Sequence, residues 1–201
     1  MQTDLPETEA DLAALVGSRL CHDLISPLGA IGNGVELLTM SGVAMSPELQ
    51  LIAESIASAN ARVKFFRIAF GQASAEHRLG RPELVTLMKA LSQGGRMAYD
   101  WQVEGDQPRR AVKLALLAIL CLEPALPRGG TITIRHEDGA WLVSARAERT
   151  KLDPALWANL DGEPSAISPA QVQFALLPRA AAAQGRALRW EISDTGAAIA
   201  F

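Results

Sequence analysis

Between residues 49 and 70 the apolar side chains Leu49, Ile52, Ile56, Ala59, Val63, Phe66 and Phe70 recur at alternating steps of three and four without a break. On a helix of 3.6 residues per turn this spacing draws a narrow stripe, the seam of a coiled coil or helix bundle. Leu24, Leu28, Ile31, Val35 and Leu38 draw a second stripe, stepping by four, three, four and three. Between the two lies MSGVAM at residues 40–45, where a hairpin turns, followed by Ser46-Pro47-Glu48. That triplet supplies a capping hydroxyl and a proline at the first helical position. At the other end Thr8 reads as the N-cap of the first helix, with Asp11 in capping-box position. Each helix should run about 30 residues, or ~45 Å. Two such helices alone leave much apolar surface in water, and a second hairpin closing a four-helix bundle buries it. Residues 1–79 are therefore expected to form a helical hairpin that makes a homodimer.

Composition narrows what this hairpin belongs to. The 201 residues are 49% hydrophobic and 20% charged, which excludes disorder as the dominant state. A net charge of −3 argues against a nucleic-acid binder that works by neutralising phosphates. The longest apolar run, residues 114–122, is too short to cross a bilayer, and the acidic start (Asp4, Glu7, Glu9, Asp11) is unlike a signal peptide. Cys21 and Cys121 make no disulfide framework. The expectation is a cytoplasmic protein with reduced thiols and no membrane or nucleic-acid partner.

The charge is uneven. Up to Gly80 there are five basic and nine acidic residues, and beyond it 14 and 13, while all four tryptophans lie in the later part. The stretch AEHRLGRP at residues 75–82 holds a Gly and a Pro that punctuate helices, so a second domain is expected over residues 80–201. Residues 82–92 form an amphipathic pattern with Leu84, Leu87, Met88 and Leu91. A strand is expected over 99–103 and an apolar helix over 110–122. Residues 131–134 and 141–145 flank His136-Glu137-Asp138-Gly139, a hairpin with Asp-Gly turn chemistry. A helix over 169–184 and strands over 187–193 and 197–201 complete the order, which is that of an α/β sandwich with helices on one sheet face. The fold class is thus mainly α plus α/β.

The chemistry centres on His22. At 100° per residue the first seam lies about 160° to 240° around the helix from it, so the imidazole points away from the bundle interior. Its helical neighbours Ser18, Arg19, Ile25, Ser26 and Gly29 are mostly small or polar, which suits approach by a large partner. An unprotonated imidazole nitrogen is a nucleophile, and an ordinary histidine, with a pKa of about 6.5, offers one at neutral pH. Asp23 is placed to accept a hydrogen bond from the other ring nitrogen, given a favourable rotamer. Pro27, costly in a helix interior, removes one backbone bond near Asp23. Reflecting the hairpin about residue 43 sets Lys64 level with His22 and Arg67 level with Arg19, three cations suited to a transferring phosphoryl group. Cys21 reads as a packed thiol, and His22, His77 and His136 are too far apart for a metal site.

The run His22-Asp23-Leu24-Ile25-Ser26-Pro27-Leu28 resembles the phosphoacceptor box of sensor histidine kinases, and the second half resembles the ATP-binding domain that follows the bundle in those proteins. The nucleotide-binding features of that family are missing. Leu117-Ala118-Ile119-Leu120-Cys121-Leu122-Glu123-Pro124-Ala125 carries no asparagine, and Val143-Ser144-Ala145-Arg146-Ala147-Glu148-Arg149 stands where an Asp-x-Gly-x-Gly loop should follow. The whole chain, with Leu126-Pro127-Arg128-Gly129-Gly130-Thr131-Ile132 adding more weakly, resembles the ChpT-type histidine phosphotransferases of alphaproteobacteria. The resemblance implies a degenerate, ATPase-like (Bergerat-type) second domain. It also implies a phosphorelay in which phosphoryl passes from the receiver aspartate of a hybrid histidine kinase to His22, then to a response-regulator receiver. No cofactor of its own is implied, since the receiver domain would supply Mg²⁺. The receiver footprint expected on the His22 face takes Ile25, Ser26, Gly29, Gly32, Asn33 and Glu36 from the first helix. Gln50, Ala53, Glu54 and Ala57 join from the second. An ATP-dependent histidine kinase or ATPase and a non-catalytic dimeric scaffold stand as alternatives.

Overall fold

A computed structural model describes residues 9–74, 76–137, 139–163 and 165–201. The chain divides into two compact units between residues 74 and 75.

The first unit is the helical hairpin. Helix α1 spans Glu9–Met40 and runs unbroken through Pro27, and α2 spans Pro47–Ala69. Ser46 caps α2, its side chain accepting from the Leu49 N–H at 3.3 Å, with Pro47 in the first turn. Thr8, expected as the N-cap of α1, lies outside the described residues, and Asp11 is described in its backbone alone. At 23 residues α2 is shorter than the expected 30, because Phe70 caps it and Gly71 follows. The two helices touch closely near their open ends: a Cβ on Gly17 would come 3.4 Å from Phe70, and the Ser18 hydroxyl accepts from the Gln72 N–H at 3.3 Å.

The buried stripe of α2 is Ile56, Ala61, Phe65, Ile68 and Ala69, and it shares only Ile56 with the heptad seam. The other seam positions of α2 are half-buried or exposed. On α1, Leu24, Ile31 and Leu38 keep 51%, 52% and 47% of their surface. Within one chain the seam is thus an apolar face left half-buried or exposed at every position but Ile56.

The second unit is a layered α/β fold. Strand β1 (Arg78–Leu79) precedes α3 (Arg81–Ser92), β2 (Met97–Trp101), β3 (Gln107–Pro108) and α4 (Arg109–Leu122). The hairpin strands β4 (Gly130–Glu137) and β5 (Ala140–Arg146) follow, then a single turn α5 (Pro154–Trp157), α6 (Gln173–Ala182), β6 (Arg189–Ile192) and β7 (Gly196–Ala200). The main sheet has the order β2-β4-β5-β7-β6, parallel only between β2 and β4. Period-two alternation sends Ile132, Ile134, Trp141, Val143, Ala145, Ala197 and Ile199 to one face, where all are buried. Helix α4 packs on that face with almost every residue buried, and α6 lies against α4. On the other face Thr131, Arg135, Leu142 and Arg146 are exposed. The helices are on one sheet face, as the element order implied.

Several details differ from the sequence reading. The strand expected over 99–103 is Met97–Trp101, because its register is set by parallel pairing with Gly130–Ile134. The helix expected from Pro169 begins as a 3-10 turn over Pro169–Gln171, with the Ser168 and Gln171 capping box, and becomes α-helical only at Gln173. Arg78–Leu79 pairs with Gln107–Pro108, which ties residues ahead of Gly80 to the second unit. Helix α5 was not foreseen; its signal is Asp153-Pro154, where the aspartate side chain accepts from the Leu156 N–H at 3.2 Å.

Candidate functional site

The midpoint of α1 carries the candidate site. The helix is regular through residues 18–29, so its geometry decides where each side chain leaves the backbone. Cys21 and His22, adjacent in sequence, are sent to opposite environments: Cys21 is 7% exposed, while the His22 side chain is 80% exposed. Burial pushes the Cys21 thiol up, and the nearby Arg67 charge pulls it partly back, so this thiol is packed and un-ionised.

Asp23 makes the contact its position allowed. Its Oδ1 lies 3.2 Å from His22 Nδ1, and its Oδ2 accepts from Arg19 Nε at 2.7 Å. The hydrogen bond to His22 holds the Asp23 carboxyl below the usual carboxylate range, and the Arg19 bond and charge add to the effect. A carboxylate is an acceptor, so the tautomer that suits this contact carries its proton on Nδ1 and its lone pair on Nε2. Arg19, expected with Lys64 and Arg67 to meet the phosphoryl group, engages Asp23 through its Nε, because residues four apart on a helix are neighbours. The one-turn spacing of Arg19 and Asp23 was the available signal for this pair.

The hairpin register also shifts. Gly17 against Phe70, Ser18 against Gln72 and Gly32 against Ile56 set the mirror point about one residue beyond 43. His22 is then level with the stretch between Lys64 and Arg67, not with Lys64 itself. Both cations are exposed on α2.

Of the expected receiver footprint, Ser26, Asn33, Glu36, Gln50, Glu54 and Ala57 are exposed, and Ile25, Gly29 and Ala53 are half-buried. Gly29 has open space where a Cβ would stand. Gly32 does not: a Cβ there would lie 3.5 Å from the Ile56 side chain, so this position faces α2. Gln50 donates to Glu54 Oε1 at 2.6 Å, which links two footprint residues on one face of α2. Among the described residues no group of three His, Cys, Asp or Glu is placed to hold a metal ion, and no helix is long and apolar enough to cross a membrane.

Residues 81–196 match the family described as the histidine phosphotransferase C-terminal domain. Protein phosphotransferase ChpT of Brucella abortus (strain 2308) is 36% identical over 152 residues, 72% of this chain and 71% of that one. The chain belongs to the histidine phosphotransferase family. Its function is phosphoryl transfer in a phosphorelay. A solved bacterial phosphotransferase has the same fold at a TM-score of 0.68 and 26% identity, with 99% of each chain covered.

Proposed function

We propose that His22 is the phosphoacceptor, taking phosphoryl from a receiver aspartate and returning it to another. The observation that carries this reading is an exposed imidazole whose Nδ1 is held by Asp23, which leaves Nε2 as the nucleophile. The Nε2 lone pair attacks phosphorus, the N–P bond forms, and the P–O bond to the donor aspartate breaks with its electron pair leaving on the carboxylate. Nδ1 keeps its proton, so the product is a cationic phosphoimidazole paired with the Asp23 carboxylate. Attack on phosphorus by the second receiver's aspartate reverses the electron flow and frees Nε2.

The remaining assignments follow from this step. Lys64 and Arg67 stand on α2 at the level of His22 to meet the phosphoryl oxygens, and Mg²⁺ comes with the receiver rather than with this chain. The donor is the receiver domain of a hybrid histidine kinase, and the acceptor is that of a response regulator. Both dock over Ile25, Ser26, Gly29 and the facing residues of α2, where small side chains let a helix approach. Two hairpins join through the uncovered seam as a four-helix bundle, so the working form is a homodimer. The setting is the cytoplasm, where such receivers reside.

The second unit is proposed to be a degenerate ATPase-like domain that does not use ATP. Supporting this, Leu117 to Leu122, in the stretch where a kinase would carry its asparagines, are all buried apolar or thiol side chains in α4. A stretch wholly committed to the core has no side chain left for metal or phosphate. Incubation with a phosphorylated receiver and Mg²⁺ should label wild-type protein and leave His22→Ala unlabelled, and equal labelling of the two would overturn the proposal. Titration with ATP should give no binding up to millimolar concentration, and saturable binding would restore the kinase reading.

A further inference from the structure

We infer that Arg19 is a positioning residue for phosphotransfer, acting through Asp23 to hold the His22 ring with its proton on Nδ1. This rests on the reading of His22 as the acceptor. Asp23 is adjacent to His22, so the two side chains leave the helix about 100° apart and meet only when the aspartate leans toward the ring. Both side chains are substantially exposed, and a lone 3.2 Å contact between them competes with water. Arg19 approaches from one turn earlier and takes the other carboxylate oxygen at 2.7 Å. With Oδ2 engaged there and Oδ1 at the ring, the carboxylate is held at both ends, which disfavours rotation about the Cβ–Cγ bond.

The pair adds little to the stability of the helix. Exposed ion pairs are weak, and a base placed N-terminal to an acid is the less favourable order on a helix. Its consequence is orientation. A guanidinium remains charged at every working pH and draws charge from the carboxylate, so the shared proton stays on the imidazole and not on Asp23. Arg19 therefore touches neither the phosphorus nor the nucleophile; it fixes which ring nitrogen is free.

The test is a double-mutant cycle in the full chain, with Arg19→Ala and Asp23→Ala made singly and together. Two quantities are read: the single-turnover rate of transfer from a phosphorylated receiver, and the tautomer of His22 from its ¹⁵N NMR shifts. Arg19→Ala should slow transfer by about 2- to 5-fold, the factor expected of an exposed pair, and should shift His22 toward the Nε2–H tautomer. In the Asp23→Ala background it should change neither quantity, and Arg19→Lys should recover part of both. The same slowing with and without Asp23 would overturn the inference and make Arg19 a direct contact to phosphoryl. An unchanged tautomer in Arg19→Ala would overturn it as well. The tautomer is read without any transfer, so a chain that never forms phosphohistidine would sink the acceptor reading while leaving the role of Arg19 decided by the spectra.

Discussion

Ile31 offers a quantitative test of the proposed bundle. It belongs to the first seam and retains 52% of its surface in the single chain. Truncation to alanine removes three carbons, each worth about 0.8 kcal/mol on full burial. Roughly half of that burial already exists within the hairpin, which leaves about 1.2 kcal/mol per copy to be gained on association. A symmetric dimer presents the residue twice, so Ile31→Ala should weaken association by about 2.4 kcal/mol, or roughly 50-fold in Kd. The substitution raises helix propensity, so the hairpin itself should persist. Sedimentation equilibrium across a dilution series measures the effect directly. Leu142→Ala serves as the control, since Leu142 is 37% exposed on the open sheet face of the other unit. A wild-type protein that sediments as a monomer at every concentration refutes the reasoning. So does an Ile31→Ala protein with unchanged Kd, because the uncovered seam would then not be the surface that pairs.

Three further outcomes are expected. Asp23 should titrate below the ordinary aspartate value of 3.8, chiefly through its bond to His22 and then through Arg19. A carboxyl with a depressed folded pKa stabilises above its unfolded value and loses that contribution only as pH falls through the lower one. The His22 contact should therefore survive at pH values where a free aspartate is already half protonated, and a ¹³C midpoint at or above the ordinary value refutes this. Gly71→Ala would place a Cβ 2.3 Å from the Arg67 carbonyl oxygen and 3.0 Å from the Ser18 hydroxyl. Urea unfolding should show a loss of about 1–3 kcal/mol as Ser18 releases Gln72, and a stability equal to wild type speaks against this close crossing. Gly129→Ala combines a φ of +89° with a Cβ only 2.1 Å from the Arg96 carbonyl oxygen. A loss of at least about 2 kcal/mol is expected there, and thermal unfolding at the wild-type temperature would contradict it.

Local signals carried much of this fold. The Ser46-Pro47 start of α2, the turn after Met40 and the buried apolar run of α4 all act over a few residues, and each lies where the sequence placed it. The outward direction of His22 was equally legible, because helical periodicity alone separates it from Cys21 and the seam. Elements whose limits depend on a distant partner were not legible. Strand β2 is shifted two residues by its pairing with β4, and Arg78–Leu79 becomes a strand only because Gln107–Pro108 lies beside it. The single-turn α5 is too short to show a period.

By itself the sequence determined the helical hairpin, the face on which His22 stands, and the apolar committed core of the second unit. All of these follow from spacing along one chain, which sets direction around a helix or alternation across a strand. Only the tertiary structure decided which α2 residues are buried, since Phe65, Ile68 and Ala69 lie off the seam and yet are covered while most of the seam is not. Only the structure set the level of the cations on α2, with His22 opposite the stretch between Lys64 and Arg67. In sequence Arg19 stands one turn from Asp23, but nothing local relates Lys64 or Arg67 to His22. Their level depends on the register of the two helices, which is fixed only when the helices pack.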